Sequence, residues 1–444
     1  MIITVIGAGL AGVEAAHTLS KNGVKVRLCE MKPTQYSPAH THAGFAELVC
    51  SNSLKADRLS TSAGLLKAEM RALGSLTLEV AELTKIAAGG ALAVDRTAFS
   101  DEITRRLHAD PNIEVITGEI TDFPESNAII ATGPLTSDTF AEAIKQKLAL
   151  MVGKPCEAGF GAELLGFYDA AAPIVTAESI DMEKAFMASR YGKGDADYIN
   201  CPFTQEEYEV FYNELINAKP AELHEIDKVY EACLPVEVLA KRGKDSIRFG
   251  CMKPVGLIDP RTDRKNYAVV QLRQENTDKS MYNIVGFQTN LKFGEQQRVF
   301  RLIPGLENAE FVRYGVMHRN TFIDSPRLLD SCFRLRGSDN IYFAGQITGV
   351  EGYMESAASG ILTGLAMAGR LPELPKTTML GALTRYISTP NENFQPMGAN
   401  MGLLPPLDLK IGGAPRSSRP TKLKKQEKYE RLAERALSFY ENSN

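Results

Sequence analysis

The chain has 444 residues, 44% hydrophobic and 23% charged, with 50 Lys and Arg against 54 Asp and Glu for a formal net charge of -4. That composition supplies a full apolar core and excludes wholesale disorder, while near-balanced charge excludes a uniformly basic nucleic-acid coat but leaves room for a local basic patch. At roughly 100–200 residues per domain, two or three domains are expected, or one domain carrying a large insertion.

Ile2-Ile3-Thr4-Val5-Ile6 is an apolar run of buried-strand length, followed at once by Gly7-Ala8-Gly9-Leu10-Ala11-Gly12. A helix is predicted from about Ala11 to Asn22, stopping at Gly23, and a second strand over Val24–Cys29 closes on Glu30. This is a βαβ unit with G-x-G-x-x-G at its first turn. The first Gly permits the tight turn, the second lets backbone approach a pyrophosphate, and the third lets helix and strand pack closely. The helix N-terminus offers free N–H groups to phosphate. Glu30 stands where an acid holds ribose hydroxyls, which argues against a 2′-phosphate but does not separate FAD from NAD.

Two later segments favour FAD. Asn127–Gly133 is a short apolar strand ending in Thr132-Gly133, and Asn340–Gln346 is another, ending in Ala344-Gly345. They resemble the second and third fingerprints of two-dinucleotide-fold flavoproteins, although Gln346 stands where the third usually has Asp. Gly349-Val350-Glu351-Gly352-Tyr353 follows, then a small-residue helix over Ser356–Ala368. No second G-x-G-x-x-G unit is visible for a tightly held nicotinamide cofactor.

The middle of the chain differs in kind. Thr204-Gln205-Glu206-Glu207 has the capping-box pattern and starts a helix with Tyr208, Phe211, Tyr212 and Leu215 on one face. Tyr267–Gln274 and Met281–Gln288 read as an antiparallel pair. Six prolines between 390 and 420 mark a loop. Residues 410–431 hold eight Lys or Arg against two Glu, and Leu423–Tyr440 reads as an amphipathic helix. Such a charge run is either a solvated face or a contact for a phosphate backbone.

The expected fold class is α/β: a Rossmann-like FAD-binding fold of the two-dinucleotide-fold flavoprotein type, interrupted by an α+β insertion domain. The expected divisions are 1–154 and 301–389 for the two parts of the FAD-binding domain, 155–300 for the insertion that meets substrate, and 390–444 for the Pro/Gly-rich loop and basic helix. No apolar stretch reaches the roughly 18 residues of a membrane span, and no signal peptide is expected ahead of Ile2. The seven cysteines are odd in number and include no C-x-x-C pair, so no disulfide framework or metal site is expected, and a reducing cytoplasm is.

Several stretches together are more specific than the glycine motif: Phe45-Ala46-Glu47-Leu48-Val49-Cys50-Ser51-Asn52-Ser53, Gly89–Arg96, Met252-Lys253-Pro254-Val255-Gly256-Leu257, His318-Arg319-Asn320-Thr321, Thr348–Tyr353 and Phe394-Gln395-Pro396-Met397. In these the chain closely resembles the folate- and FAD-dependent tRNA (uracil-54-C5)-methyltransferases, TrmFO, related to the MnmG/GidA flavoproteins, whose long helical C-terminal region it lacks. Three positions depart from the family pattern: Ala232 before Cys233, Cys251 before Met252, and Gly398 after Met397.

The resemblance implies methylation of C5 of the T-loop uridine of tRNA, with 5,10-methylenetetrahydrofolate as carbon donor, reduced FAD as hydride donor and NADH or NADPH reloading the flavin. It implies tRNA, through its T-arm, as partner, and Cys50 and Cys233 as the functional cysteines. Cys233 is expected to add to uracil C6 and Cys50 to act beside the flavin, with the reverse assignment open. Cys29, Cys156, Cys201 and Cys332 are expected to be inert, and Cys251 is undecided. Tyr353 is a candidate for stacking on the flavin or the folate pterin. Lys253, Arg273 and Arg319 are candidates for holding the folate tail or RNA phosphates, and His318 for acid–base work. A ribosomal uridine target, a generic NAD(P)H-dependent flavin oxidoreductase and a tRNA-binding protein with structural FAD are the competing readings.

Overall fold

The computed structural model describes residues 2–152, 165–170, 172–192, 195–221, 234–261, 266–315, 317–391, 394–407 and 424–441. Five strands form one all-parallel sheet in the order Ile341–Phe343, Ala128–Ile130, Ile2–Ile6, Lys25–Glu30, Ile113–Thr117. The first strand buries Ile3, Val5 and Ile6, and its neighbours Ile129 and Phe343 are wholly buried, as a sheet covered on both faces requires. Helix Leu10–Lys21 follows the glycine turn. Helix Tyr353–Met367 lies against it so closely that a Cβ on Gly360 would stand 2.1 Å from the Ala11 carbonyl oxygen. This helix starts three residues ahead of the expected Ser356 because Gly352, at φ +121°, serves as its N-cap.

A second core draws on residues from Val175 to Ala309. Its sheet is antiparallel throughout, in the order Phe186–Met187, Tyr198–Phe203, Ala268–Gln274, Met281–Ile284, Ile174–Thr176, Phe311–Arg313. The expected hairpin pairs Leu272 with Ile284. Its second strand stops at Ile284 rather than Gln288, because Gly286 turns the backbone at φ +79°. Helix Gln205–Asn217 carries the expected capping box, with Thr204 and Glu207 each accepting from the other's backbone N–H, and buries Tyr208, Phe211 and Leu215. Strands Leu165–Ala170 and Met317–Phe322 pair antiparallel where the chain passes between the two cores.

Buried carboxylates tie helix ends together in the first core. Glu14 accepts from the backbone of Leu76 and Thr77 at the start of helix Leu76–Leu83. Glu69 does the same for helix Met379–Ser388, accepting from Met379 N at 2.7 Å and Leu380 N at 2.9 Å. It also accepts from Tyr440 Oη at 3.1 Å. The C-terminal helix Lys425–Glu441, which buries Leu432, Ala433, Ala436 and Tyr440, is thus docked on the first core; Lys425, Lys428 and Arg431 are exposed, whereas Arg435 donates to the Pro405 and Pro406 carbonyls.

Burial pushes the Glu69 carboxyl up to about 7 from an ordinary 4.5, the hydrogen bonds opposing it. The folded chain therefore binds this proton more tightly than the unfolded chain does. The stability contributed is full below about pH 4.5 and is lost as pH rises to about 7. Relative to Glu69→Gln, the wild type is expected to lose about 3 kcal/mol across that window. Urea unfolding of both proteins at pH 5 and pH 8 checks this; parallel pH dependence would refute it.

Candidate active site

The glycine turn is shaped by contacts that admit no side chain. Gly7 sits at φ +96°, and a Cβ there would lie 2.7 Å from the Ala131 carbonyl oxygen. A Cβ on Gly12 would lie 1.8 Å from the Gly7 oxygen. Gly9 is the opposite case, with open space around its Cβ position. Helix Leu10–Lys21 has Gly9 as N-cap and helix Tyr353–Met367 has Gly352, and neither receives a side-chain cap. Gly345 brings the two starts together, a Cβ on it falling 3.0 Å from Ala11 Cβ. Two helix N-termini with unclaimed N–H groups thus border one groove, an arrangement that attracts an anion.

The groove takes in about 1100 Å³ of empty space, the open solvent at its mouth included. Gly7, Ala8, Gly9, Leu10, Ala11, Glu30, Thr132, Gly133, Gly345, Gln346 and Tyr353 line it, whereas Gly12 and Gly352 shape its walls from behind. Glu30 closes one end, accepting from Ala8 N at 2.8 Å and Lys32 N at 3.0 Å. Lys32, also on the wall, donates to the carbonyls of His42 and Gly44 and pairs with the buried Glu47. Gln346, the departure from the flavin fingerprint, donates to Glu351 at 2.9 Å. An open glycine, two uncapped helix starts and an acid at the far end of the second strand fit a dinucleotide such as FAD.

Cys50 is half-buried and follows Val49, which lines this groove. The Tyr353 hydroxyl accepts from Cys50 N at 2.7 Å and from Ser51 N at 3.1 Å. Burial, then the neighbouring Cys50, pushes the Tyr353 phenol well above its ordinary range, so it stays neutral. Tyr353 therefore joins groove to cysteine loop, a role its spacing in the sequence does not announce. Asn52 donates to the carbonyls of Val94, Gln274 and Glu275, fastening the loop to both cores.

Three guanidiniums lie in electrostatic reach of Cys50: Arg96, Arg273 and Arg313. Arg96 donates to Leu48 O at 2.6 Å and pairs with Glu275 at 2.8 Å, both side chains largely buried. Arg313 donates to Ala39 O at 3.0 Å. Burial lowers both Arg273 and Arg313 from the ordinary arginine range. Cations around a cysteine favour its thiolate form. Arg96 and Arg313 went unrecognised in the sequence; the Asp95-Arg96 pair within a specific motif was the available signal for the first, and nothing local marks the second. Lys67, also unforeseen, is wholly buried and donates to the carbonyls of Leu54, Lys55 and Ala56, holding the strand that follows the cysteine loop.

Arg273, a candidate for the folate tail or RNA phosphates, is 8% exposed. Its guanidinium is committed to Asn52 Oδ1 at 2.9 Å and Ser51 Oγ at 2.7 Å. It reaches from the second core to hold the cysteine loop. Lys253 is exposed on a turn. His318 and Arg319 lie on the strand pair between the cores, opposite Asp169 and Tyr168. Cys233 and Cys156 lie outside the described residues. Burial pushes the Cys251 thiol up to about 12 and raises those of Cys29, Cys201 and Cys332, which suits inert thiols. Among the described residues no cluster of three His, Cys, Asp or Glu forms a metal site, and no helix is long and apolar enough to cross a membrane.

The Arg96–Glu275 pair makes a stability prediction. Arg96→Met leaves a buried carboxylate without its cation, and a loss of about 3–5 kcal/mol is expected. Arg96→Met combined with Glu275→Leu should recover most of it. Chemical denaturation of the three proteins measures this; a harmless single substitution would show that the pair is not desolvated.

The chain is similar over residues 2–375 to the family model described as Glucose inhibited division protein A. A relative from Acetivibrio thermocellus, named methylenetetrahydrofolate–tRNA-(uracil-5-)-methyltransferase TrmFO, is 57% identical over 418 residues, covering 92% of this chain and 93% of that protein. One of the same name from Fusobacterium nucleatum is 52% identical over 449 residues, covering 99% and 98%. The structure of Aquifex aeolicus GidA in its form I crystal matches with a TM-score of 0.64 at 16% identity, covering 88% of this chain and 71% of that one, which shows a shared fold. With identity above one half along almost its whole length, the chain belongs to the methylenetetrahydrofolate–tRNA-(uracil-5-)-methyltransferase TrmFO family.

Proposed function

We propose that this protein methylates C5 of the T-loop uridine, position 54, of tRNA, taking the carbon from 5,10-methylenetetrahydrofolate and restoring its flavin with NADH or NADPH. The family supports tRNA, folate and FAD. The choice of the T-arm uridine rests on the motif resemblance. The donated carbon arrives at the formaldehyde oxidation level, and bound reduced FAD supplies the hydride that takes it to a methyl group.

The protein's own task is to activate the uracil and hold it at the groove. Uracil C5 is a poor nucleophile. A thiolate adding to C6 makes C5 enolate-like, so that it attacks the donor carbon. Loss of the C5 proton, departure of tetrahydrofolate from the transferred carbon, delivery of the hydride to that carbon and expulsion of the thiolate then leave the C5 methyl group and restore the ring. We assign the C6 addition to Cys233 from the sequence motif, and proton transfer beside the flavin to Cys50. The observation that carries the reading is the seat of Cys50: its backbone is held by Tyr353 from the groove wall, and its loop by Arg273 from the second core. The expected division follows: residues 1–154 and 301–389 hold the flavin, and the insertion 155–300 presents the RNA. The target uridine must leave the T-loop stack to reach this seat, at a cost of a few kcal/mol. A cytoplasmic location suits a tRNA substrate.

The test uses holoenzyme, unmodified tRNA transcript, donor labelled in the transferred carbon, and NADH or NADPH. Label at C5 of the T-loop uridine is the expected result. Consumption of NAD(P)H without label in tRNA would overturn the assignment.

A further inference from the structure

The insertion's sheet carries one feature that the reaction above leaves unused. Tyr191 is 64% exposed, although it sits in a left-handed backbone conformation at φ 59°, ψ 24°. A bulky residue rarely adopts that conformation, and such strain persists only where surrounding contacts impose it. Here they are named. Tyr191 N donates to Gly256 O at 2.8 Å, and Gly192 N to Ser189 O at 3.1 Å. The ring lies against Gly256, where a Cβ would come within 2.9 Å of ring carbons, and the residue is otherwise largely exposed. Arg190 locks the loop, donating to Gln271 Oε1 at 2.9 Å and Val255 O at 2.8 Å. The result is a rigid aromatic plate backed by glycine, with Val255 and Lys253 exposed on the same Met252–Leu257 turn.

Its position matters. Gln271 and Arg273 are two apart on strand Ala268–Gln274 and so point to the same face, about 7 Å from each other. Gln271 holds the Tyr191 loop, and Arg273 holds Ser51 and Asn52 beside Cys50. The plate therefore stands a short step along the same sheet face from the cysteine loop. A single-stranded RNA loop offers unstacked bases that settle on exposed aromatic rings, with lysine nearby for phosphate.

We propose that Tyr191 is a stacking platform for an unpaired base of the substrate RNA, next to the uridine turned toward Cys50. The proposal rests on the tRNA reading above. It accounts for the strained backbone, which fixes the ring outward before RNA arrives, and for Gly256, the one residue type that leaves room beneath the ring.

The test measures binding of a T-arm hairpin transcript to FAD-loaded enzyme. Tyr191→Asn and Tyr191→Gly both suit the left-handed backbone, so neither adds strain. Each is expected to weaken binding about 10-fold, from the loss of one base–aromatic stack, and Tyr191→Phe to bind within about 2-fold of wild type. NAD(P)H-driven flavin reduction should be unchanged in all three, because Tyr191 is not among the residues that line the groove. Wild-type affinity in Tyr191→Asn and Tyr191→Gly, with tRNA still methylated, would overturn the platform alone. No preference of the wild type for the hairpin over unrelated RNA would overturn the tRNA reading beneath it.

Discussion

Cys50→Ala is expected to lower carbon transfer to tRNA by at least about 10²-fold while leaving FAD content and melting temperature near wild type. Cys50 is half-buried beside the groove-lining Val49, and its loop is positioned by groups other than its own thiol. The Cys50 N–H reaches Tyr353, and the neighbouring Ser51 and Asn52 carry the bonds to Arg273 and to Val94, Gln274 and Glu275. Removing one sulfur leaves all of these contacts in place. Removal of a positioned acid–base group costs about 10²–10⁴-fold in rate, and removal of a covalent nucleophile costs more. Cys251→Ala is the control, because that thiol is buried and pushed up to about 12; it should retain wild-type transfer. The measurement is initial rate of label incorporation under saturating donor. If Cys50→Ala kept a tenth of the wild-type rate, Cys50 would have no chemical role and the three surrounding arginines would need another explanation.

The second large effect separates two glycines of one motif. Gly12→Ala puts a methyl 1.8 Å from the Gly7 carbonyl oxygen and 2.9 Å from its carbon. Both are backbone atoms of the turn, so relief requires the helix to move off the strand. A loss of several kcal/mol is expected, beyond the usual 1–3 kcal/mol of overpacking, since no side chain can give way. Gly9→Ala meets nothing within 4 Å, and its backbone at φ -71° accepts any residue. It should leave the melting temperature of flavin-free protein unchanged, yet weaken FAD because its methyl enters the groove where the pyrophosphate approaches. Flavin absorbance after purification, with melting of the stripped proteins, gives both answers. Equal behaviour of the two variants would mean that the motif is a packing device with no ligand role.

The βαβ unit, the capping box at Thr204 and the antiparallel hairpin were legible in the sequence because each is set by residues close along the chain. Glycines at a turn, an apolar run over Ile2–Ile6, and a Thr three residues before a Glu act through local geometry; most helix and strand limits moved by a residue or two, and further where Gly286 or Gly352 turned the backbone. The motifs around Cys50 and Arg96 also marked the cysteine loop that the three arginines surround. What they do there was decided by tertiary structure. Arg96, Arg273 and Arg313 reach Cys50 from three distant parts of the chain, and an arginine aimed inward is written with the same letter as one facing solvent. Arg273 read as a ligand contact, and the folded chain makes it a brace as well, its guanidinium bonded to Ser51 and Asn52 of the cysteine loop. Tyr353 read as a stacking ring, and its hydroxyl proves to hold Cys50 in place across more than three hundred residues. Contacts that long carry no periodicity and leave no local trace, so only the folded chain shows which side chains the site is made from.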